Sequence, residues 1–176
     1  GPYDQIINGV TPLPSAMAIG ATWNPANAEA VGSVLGSELS ALGFNFLLGP
    51  SLDVLDLVRT DIGDDLGVRT FGGDPFWVGV MGKAFIKGVH AGSDNKILVI
   101  SKHFPGRGGS DRLPEVEVAT VRKSLEQLKQ IELSPFFAVT QGAETTQERT
   151  DGLLISHIRY QGFQGNIRAT TRPVSF

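Results

Sequence analysis

Charged side chains directly follow or end three apolar segments of the sequence, and these residues could do chemistry. They are Asp53, Lys102, His103 and His157, together with Arg69 from a polar stretch after the first segment. In parallel α/β folds the carboxyl ends of the strands meet at one edge of the sheet, where reactive groups collect. If the three segments are strands, we expect these side chains to converge there. An arginine at such an edge would donate hydrogen bonds to hydroxyl groups or to a carboxylate.

Two of these positions also have an ordinary structural interpretation. Lys102 and His103 are adjacent, and neighbours on a regular strand face opposite ways, so both reach one pocket only if the backbone is distorted there. Otherwise Lys102 is a solvated loop residue and His103 caps a carbonyl group. His157 on its own could equally be a core histidine with satisfied hydrogen bonds.

The acidic stretch 51–73 and the histidines do not predict a metal site. Asp61, Asp64 and Asp65 miss the spacing of a calcium-binding loop, so we interpret them as a solvated turn. Arg69 could form a surface ion pair of little energetic value in that turn. The three histidines lie on separate segments, without H-x-x-x-H or H-E-x-x-H, and no phosphate-binding loop is present. The sequence therefore predicts no metal and no other cofactor.

The segments that must position these residues alternate between helical and extended patterns. Helices are predicted over 25–42, from position 75 to about 89, over 115–131 and over 134–139. Strands are predicted over 44–48, 96–101 and 152–157. Asn24 and Asp74, each followed by proline, predict the starts of the first two helices. The alternation predicts an α/β fold with a parallel sheet, Rossmann-type or a (β/α)8 barrel, and the glycine pattern argues against the Rossmann alternative.

Composition excludes several classes of protein. The 176 residues suffice for one domain or part of one, and 15 Lys and Arg against 18 Asp and Glu argue against nucleic-acid binding. The chain lacks cysteine, which excludes disulfides, thiolate metal sites and cysteine nucleophiles. No uncharged apolar run reaches the roughly 18 residues of a membrane span. The first five residues lack the pattern of a signal peptide. The sequence predicts neither the compartment nor the oligomeric state of the protein.

Short motifs occur in a fixed order along the chain, from about position 11 to 175. They are TPLPSAM (11–17) with GAT (20–22), ELSALG (38–43), GPSLDV (49–54), RTFGGDP (69–75), KHFPG (102–106), SPF (134–136) and SHIRY (156–160). The ordered set resembles the N-terminal catalytic domain of glycoside hydrolase family 3, the β-glucosidase and β-N-acetylhexosaminidase family. KHFPG together with the upstream R-x-F-G-x-D-P is the specific part of the resemblance.

The resemblance implies a partial (β/α)8 TIM-like barrel of parallel strands, truncated at both ends, so that residues 1–176 form an incomplete domain. It also implies a retaining glycoside hydrolase that acts on terminal β-linked glucosides or N-acetylglucosaminides. Arg69, Lys102 and His103 would bind sugar hydroxyls. His157 would line the same pocket, and Asp53 would order the loop that carries Arg69. An incomplete barrel would leave an open arc of about four to six strands with an unpaired edge.

Two departures from the family pattern bear on activity. The aspartate nucleophile of the family would lie beyond Phe176, so we expect these residues to lack it. After KHFPG, Asp111 matches the aspartate of an acid/base dyad, but no histidine follows, and Arg112 favours the charged carboxylate, which is a poor proton donor. Asp111 is nevertheless the candidate for the acid/base loop. One alternative is a non-catalytic carbohydrate-binding domain or pseudo-enzyme. Another is a nucleotide-binding α/β domain, although the missing phosphate loop argues against it.

Overall fold

The computed structural model of the protein describes residues 8–57, 66–113 and 117–174. The predicted solvated turn with Asp61, Asp64 and Asp65 lies outside the described residues. The same holds for the first two residues of the helix predicted over 115–131.

In the part of the chain that the structure describes, five parallel-paired strands form two sheets. They are β1 (Phe46–Ser51), β2 (Leu98–Phe104), β3 (Thr120–Val121), β4 (Gly152–Ile155) and β5 (Arg159–Tyr160). Strands β1, β2 and β4 form one sheet with β2 in the centre, and β3 pairs with β5. The α/β fold with parallel strands is confirmed. Within the described residues the three-stranded sheet stays an open arc and does not close into a barrel.

Within the described residues, six α-helices accompany the strands. They are α1 (Ala16–Gly20), α2 (Pro25–Ala41), α3 (Pro75–Gly92), α4 (Leu125–Gln130), α5 (Ser134–Ala138) and α6 (Gln161–Gln164). The two long helices begin where the sequence predicts. The Asn24 side chain accepts a hydrogen bond from the backbone N–H of Ala26, and the Asp74 side chain accepts one from Trp77. Proline follows each cap, at the position where its missing N–H costs no hydrogen bond.

The helix predicted over 115–131 is wrong in its first half. Helix α4 begins only at Leu125, because the side chains of Ser124 and Gln127 form a reciprocal capping box there. Upstream of this cap, Thr120 and Val121 pair with β5 and are buried. The apolar spacing fits a helix as well as a short strand, and the cap together with the pairing partner decides between them.

Helices α2 and α3 pack directly against each other in parallel. A Cβ atom on Gly32 would overlap the carbonyl oxygen of Phe85, and one on Gly36 would overlap that of Val89. Gly88 and Gly92 of α3 approach the α2 backbone at Glu29 and Ser33 in the same way. Backbone therefore lies on backbone along the contact, and the register places the amino ends of both helices side by side.

The two faces of the three-stranded sheet differ in what covers them. Val99 lies on the face that packs against α2 and α3 and is fully buried. Phe46 and its pairing partner Leu98 lie on the other face, and both are about half exposed. Leu154, opposite Lys102, is exposed on that second face too. Among the described residues, the helices of the core thus cover one side of the arc.

We predict that Gly36→Ala lowers the free energy of unfolding by about 1–3 kcal/mol, the usual range for overpacking. The new methyl group would force α2 and α3 apart, which outweighs the better helix propensity of alanine. The matched control is Ser37→Ala on the exposed side of the same helix, which should stay within about 0.5 kcal/mol of the parent. Urea unfolding measures both. Equal stability of the two variants would contradict the close contact.

Candidate functional site

A cavity of about 440 Å³ lies at the carboxyl ends of β1 and β2. Arg69, Lys102 and His103 line it together with Ser51, and apolar residues of α1, α2, α3, β1 and the adjoining loops form its other walls. The structure thus brings three of the predicted substrate-binding residues to one place. His157 is exposed two residues beyond the end of β4 and does not line this cavity.

Strand β2 is irregular where Lys102 and His103 meet the cavity. The pairing of β2 with β4 changes register between Lys102 and Phe104, and the Lys102–His103 peptide bond is cis. The pairing with β1 changes register as well, between Leu48 and Ser51. The backbone distortion that adjacent pocket residues require is therefore present, and both side chains line the cavity.

Asp53 is a fully buried carboxylate beneath His103. Its oxygens accept three hydrogen bonds, each of 2.7 Å, from His103 Nδ1, Ser51 Oγ and the backbone N–H of Arg107. Burial by itself would raise the pKa of Asp53, but the hydrogen bonds and the nearby His103 outweigh it and hold the pKa below its usual value. Since the carboxylate accepts from Nδ1, the Nε2 nitrogen of His103 is the one left to contact a ligand. The described partners of Asp53 thus order the loop that follows β2.

The cavity is rich in positive charge. Burial lowers the pKa of the Lys102 ammonium, and the Arg69 guanidinium lowers it further, while the Asp53 carboxylate acts in the opposite direction. Cations held this close together gain free energy when oxygen atoms of a ligand accept their hydrogen bonds. The site is therefore suited to hydroxyl, carbonyl or carboxylate oxygens.

A second polar layer anchors the loop after β2 from below. The Tyr160 hydroxyl donates to the carbonyl oxygen of Gly106 at 2.9 Å. Lys123 Nζ lies 2.6 Å from Glu132 Oε1 and 2.8 Å from Asp56 Oδ2. A Cβ atom on Gly109 would lie within 3 Å of both the Glu132 and Lys123 side chains. The loop backbone therefore rests directly on this ion-paired layer.

Sequence reasoning missed the Lys123–Glu132 pair. Glu132 is fully buried, and burial raises the pKa of its carboxyl group, whereas the Lys123 ammonium lowers it. The available signal was a lone acidic residue between Leu128 and Phe136, both of which are buried. Charged residues are rarely fully buried without a partner, so such an acid predicts a buried ion pair.

Asp111 lies in the loop after β2 and is held by basic groups. Its carboxylate accepts from the backbone N–H of Thr120 at 2.8 Å and pairs with Arg112 at 3.2 Å and Arg122 at 3.3 Å. Partial burial would raise the pKa of Asp111, but the Thr120 hydrogen bond and the two arginines hold it below its usual value. Asp111 is therefore a carboxylate at neutral pH.

Two further features concern cofactors and membranes. Within residues 8–57, 66–113 and 117–174, no three His, Asp or Glu side chains are grouped closely enough to hold a metal ion. None of the helices in this described part is long and apolar enough to cross a bilayer.

Comparison with known families and curated proteins gives a consistent result. Residues 1–175 match the family described as "Glycosyl hydrolase family 3 N terminal domain". The β-hexosaminidase of Pseudomonas aeruginosa (strain LESB58) is 30% identical over 161 residues, which cover 91% of this chain and 44% of the relative. The β-hexosaminidase of Methylococcus capsulatus is 30% identical over 179 residues, which cover 100% of this chain and 48% of the relative. The chain thus spans less than half the length of these relatives.

Solved structures show the same likeness. A glycoside hydrolase family 3 β-N-acetylglucosaminidase from Paenibacillus sp. str. FPU-7 superposes with a TM-score of 0.81 at 29% identity, over 96% of this chain and 29% of that chain. NagZ from Neisseria gonorrhoeae, in complex with N-trifluoroacetyl-D-glucosamine, superposes with a TM-score of 0.78 at 26% identity. The superposition covers 98% of this chain and 48% of NagZ.

The buried Asp53 carboxylate predicts a specific dependence of stability on pH. Its folded-state pKa lies below the unfolded value of 3.8, so its stabilising effect is complete above that value and is lost as pH falls below it. Asp53→Asn should lower the free energy of unfolding at pH 7 by about 1.5–3 kcal/mol and should flatten the pH dependence between about pH 5 and 2.

Urea unfolding across this pH range measures the effect of Asp53→Asn. The control is Asp94→Asn, at a highly exposed aspartate with a positive φ that asparagine also adopts, and it should change little. If the free energy of unfolding falls equally steeply at acid pH in Asp53→Asn and in the parent, Asp53 is not the titrating group.

Proposed function

Because the chain belongs to the glycosyl hydrolase family 3 N-terminal domain family, as its motifs indicate, we propose that its cavity holds the terminal sugar of a β-linked glycoside for hydrolysis. The full-length protein is then a retaining hydrolase of terminal β-linked N-acetylglucosaminides or glucosides. Residues 1–176 form an incomplete barrel domain of that enzyme. The names of the curated relatives favour an amino sugar over glucose, and the name of the Paenibacillus enzyme favours its N-acetylated form.

The observation that carries this proposal is the convergence of Arg69, Lys102 and His103 on one cavity. The guanidinium and ammonium groups donate hydrogen bonds to sugar hydroxyls, and they cannot act as acceptors themselves. His103 Nε2 adds a third contact in an orientation that the Asp53 carboxylate holds. Three polar groups in fixed positions among apolar walls are typical of a site that orients a small ligand.

A retaining mechanism needs a carboxylate nucleophile and a separate proton donor. Asp53 is buried and already accepts three hydrogen bonds, so it is poorly placed to attack an anomeric carbon. Asp111 is bound by two arginines. We therefore assign the nucleophile to sequence outside these 176 residues, and we assign this chain the binding and orientation of the sugar.

A second candidate function is non-catalytic sugar binding, as in a pseudo-enzyme. The low pKa of Asp111 favours this candidate, because the carboxylate at the acid/base position lacks a proton to donate at neutral pH. In this case the cavity with Lys102 and His103 would bind the sugar in the same way, and no bond would be cleaved.

We predict that Lys102→Met in the full-length protein lowers kcat/KM for nitrophenyl N-acetyl-β-glucosaminide by about 10- to 100-fold. This is the range expected for losing one charged hydrogen bond to the substrate. The matched control is Lys96→Met, just before the amino end of β2, whose exposed side chain pairs only loosely with Asp94 at 3.7 Å. Release of nitrophenol measures both variants, and nitrophenyl β-glucoside tests the second sugar.

Wild-type kcat/KM in Lys102→Met would remove Lys102 from the substrate site. If the wild-type protein turns over neither substrate, and Lys102→Met lowers its affinity for the sugar, the protein is a non-catalytic binding domain.

The isolated 176-residue chain should release no nitrophenol from either substrate, because the covalent route of a retaining enzyme requires the nucleophile. Circular dichroism would show that the chain is folded in this assay. Turnover that is abolished by Asp53→Asn or Asp111→Asn would instead place the catalytic carboxylate within these residues.

A further inference from the structure

An exposed aromatic cluster lies outside the cavity described above. Trp23 is 57% exposed and Phe76 is 67% exposed, although both are large apolar side chains. The ring of Trp77 joins them, with centroids 5.2 Å from Trp23 and 5.6 Å from Phe76, in edge-to-face contacts. Both tryptophans of the chain belong to this cluster. Contiguous exposed apolar surface of this kind marks a binding site more often than an isolated exposed residue does.

The fold builds the cluster from the amino ends of α2 and α3. Trp23 precedes the cap of α2, and Phe76 and Trp77 belong to the first turn of α3. The close parallel packing at Gly36 and Gly88 fixes the register that brings these ends together. The aromatic rings thus stand on the rigid contact between the two long helices, which limits their loss of conformational entropy on binding.

The backbone at Trp23 is also unusual. Its φ angle of 51° lies in the left-handed region, which bulky residues rarely adopt, and its N–H donates to the carbonyl oxygen of Gly20. The conformation costs free energy, and the indole is nevertheless largely exposed. The N–H bond closes the turn that ends α1, and backbone strain of this kind is concentrated at ligand-binding sites.

A second cavity, of about 250 Å³, borders the cluster. Met17 and Gly20 of α1 line it, together with Asp74, Trp23 and Trp77. The neighbouring α1 residues Ala16 and Ile19 line the first cavity, and Phe71 lines both. One short helix therefore separates the aromatic cluster from the site of Lys102 and His103, at the same end of the sheet.

We propose that Trp23, Phe76 and Trp77 form an outer binding surface for sugar units of a β-linked oligosaccharide whose terminal residue occupies the first cavity. The choice of ligand rests on the proposed function. A pyranose ring presents an apolar face of C–H groups and an edge of hydroxyls, so it stacks on an aromatic ring while hydrogen bonding at the rim. Asp74 supplies a rim acceptor, because its side chain is exposed and only one of its oxygens caps α3.

The charge around the cluster favours a neutral glycan over a membrane surface. The charged residue that lines the second cavity is Asp74, an acid, and anionic lipid head groups require basic residues. A wholly apolar peptide would leave the Asp74 carboxylate without a partner at the contact, which carries a desolvation cost.

The test compares a long and a short ligand by calorimetric titration of the full-length protein. Chitotetraose with thioglycosidic linkages, which the proposed hydrolase does not cleave and which is meant by chitotetraose below, probes both surfaces, and N-acetylglucosamine probes the first cavity alone. In the double variant Trp23→Ala/Phe76→Ala we expect the affinity for chitotetraose to fall roughly tenfold, as for the loss of two aromatic contacts, with the affinity for N-acetylglucosamine unchanged. The control Phe44→Ala removes another exposed ring, 48% exposed, beyond the other end of α2 and should change neither affinity.

A conservative variant separates stacking from misfolding. Trp23→Tyr keeps an aromatic face and should retain most of the affinity for chitotetraose. Lys102→Met should weaken N-acetylglucosamine binding, so failure of the proposed function is seen with the short ligand and failure of the outer surface with the long one.

Three results would overturn the outer surface. They are wild-type affinity for chitotetraose in the double variant, an equal loss for both ligands, and full protection of Trp23 from iodide quenching in the sugar-free protein. The last result would mean that protein already covers the cluster.

Discussion

The buried carboxylate of Asp53 is the interaction on which the site depends. It joins the end of β1, through Ser51, to His103 at the end of β2 and to the backbone of the following loop at Arg107. An ionised carboxylate without partners would be very costly to bury, and three short hydrogen bonds offset that cost. The same bonds require each partner to stay in place. One residue therefore fixes the imidazole orientation, the strand ends and the loop together.

The ion-paired layer that contains Lys123 differs from the Asp53 site in its energetics. Two carboxylates, from Glu132 and Asp56, share one ammonium group, and one oxygen of each has no hydrogen-bond partner among the described residues. Buried ion pairs of this kind contribute little net stability, because desolvation consumes most of the Coulomb energy, but removal of one partner leaves an uncompensated charge. We infer that this layer specifies the conformation of the loop above it, where Gly106 and Gly109 leave no room for side chains.

The sequence predicts those elements whose positions are encoded by local residue patterns. The caps at Asn24 and Asp74 and the apolar run of β2 have such signals, and the structure has both helices and this strand. The grouping of Ser51, Lys102 and His103 at one cavity also follows from strand order, because parallel strands end at one edge, but the same argument placed His157 there and His157 does not line the cavity. The helix over 115–131 failed because Val121 serves a strand whose partner, Tyr160, is 39 residues away in the chain. The Lys123–Glu132 pair and the Trp23–Trp77 contact depend equally on tertiary packing, which no local pattern reports.

Helix α1 shows how short segments, and not the sheet itself, shape the two cavities. It has only five residues, yet it lines both cavities, with Ala16 and Ile19 at the first and Met17 at the second. Its position is set by Gly20, where a Cβ atom would overlap the carbonyl oxygen of Phe71. Phe71 lies two residues after Arg69 in the chain, so the segment that carries the cationic side chain also holds α1. A shift of this contact would change both cavities at once, which makes the spacing between them a property of one backbone contact.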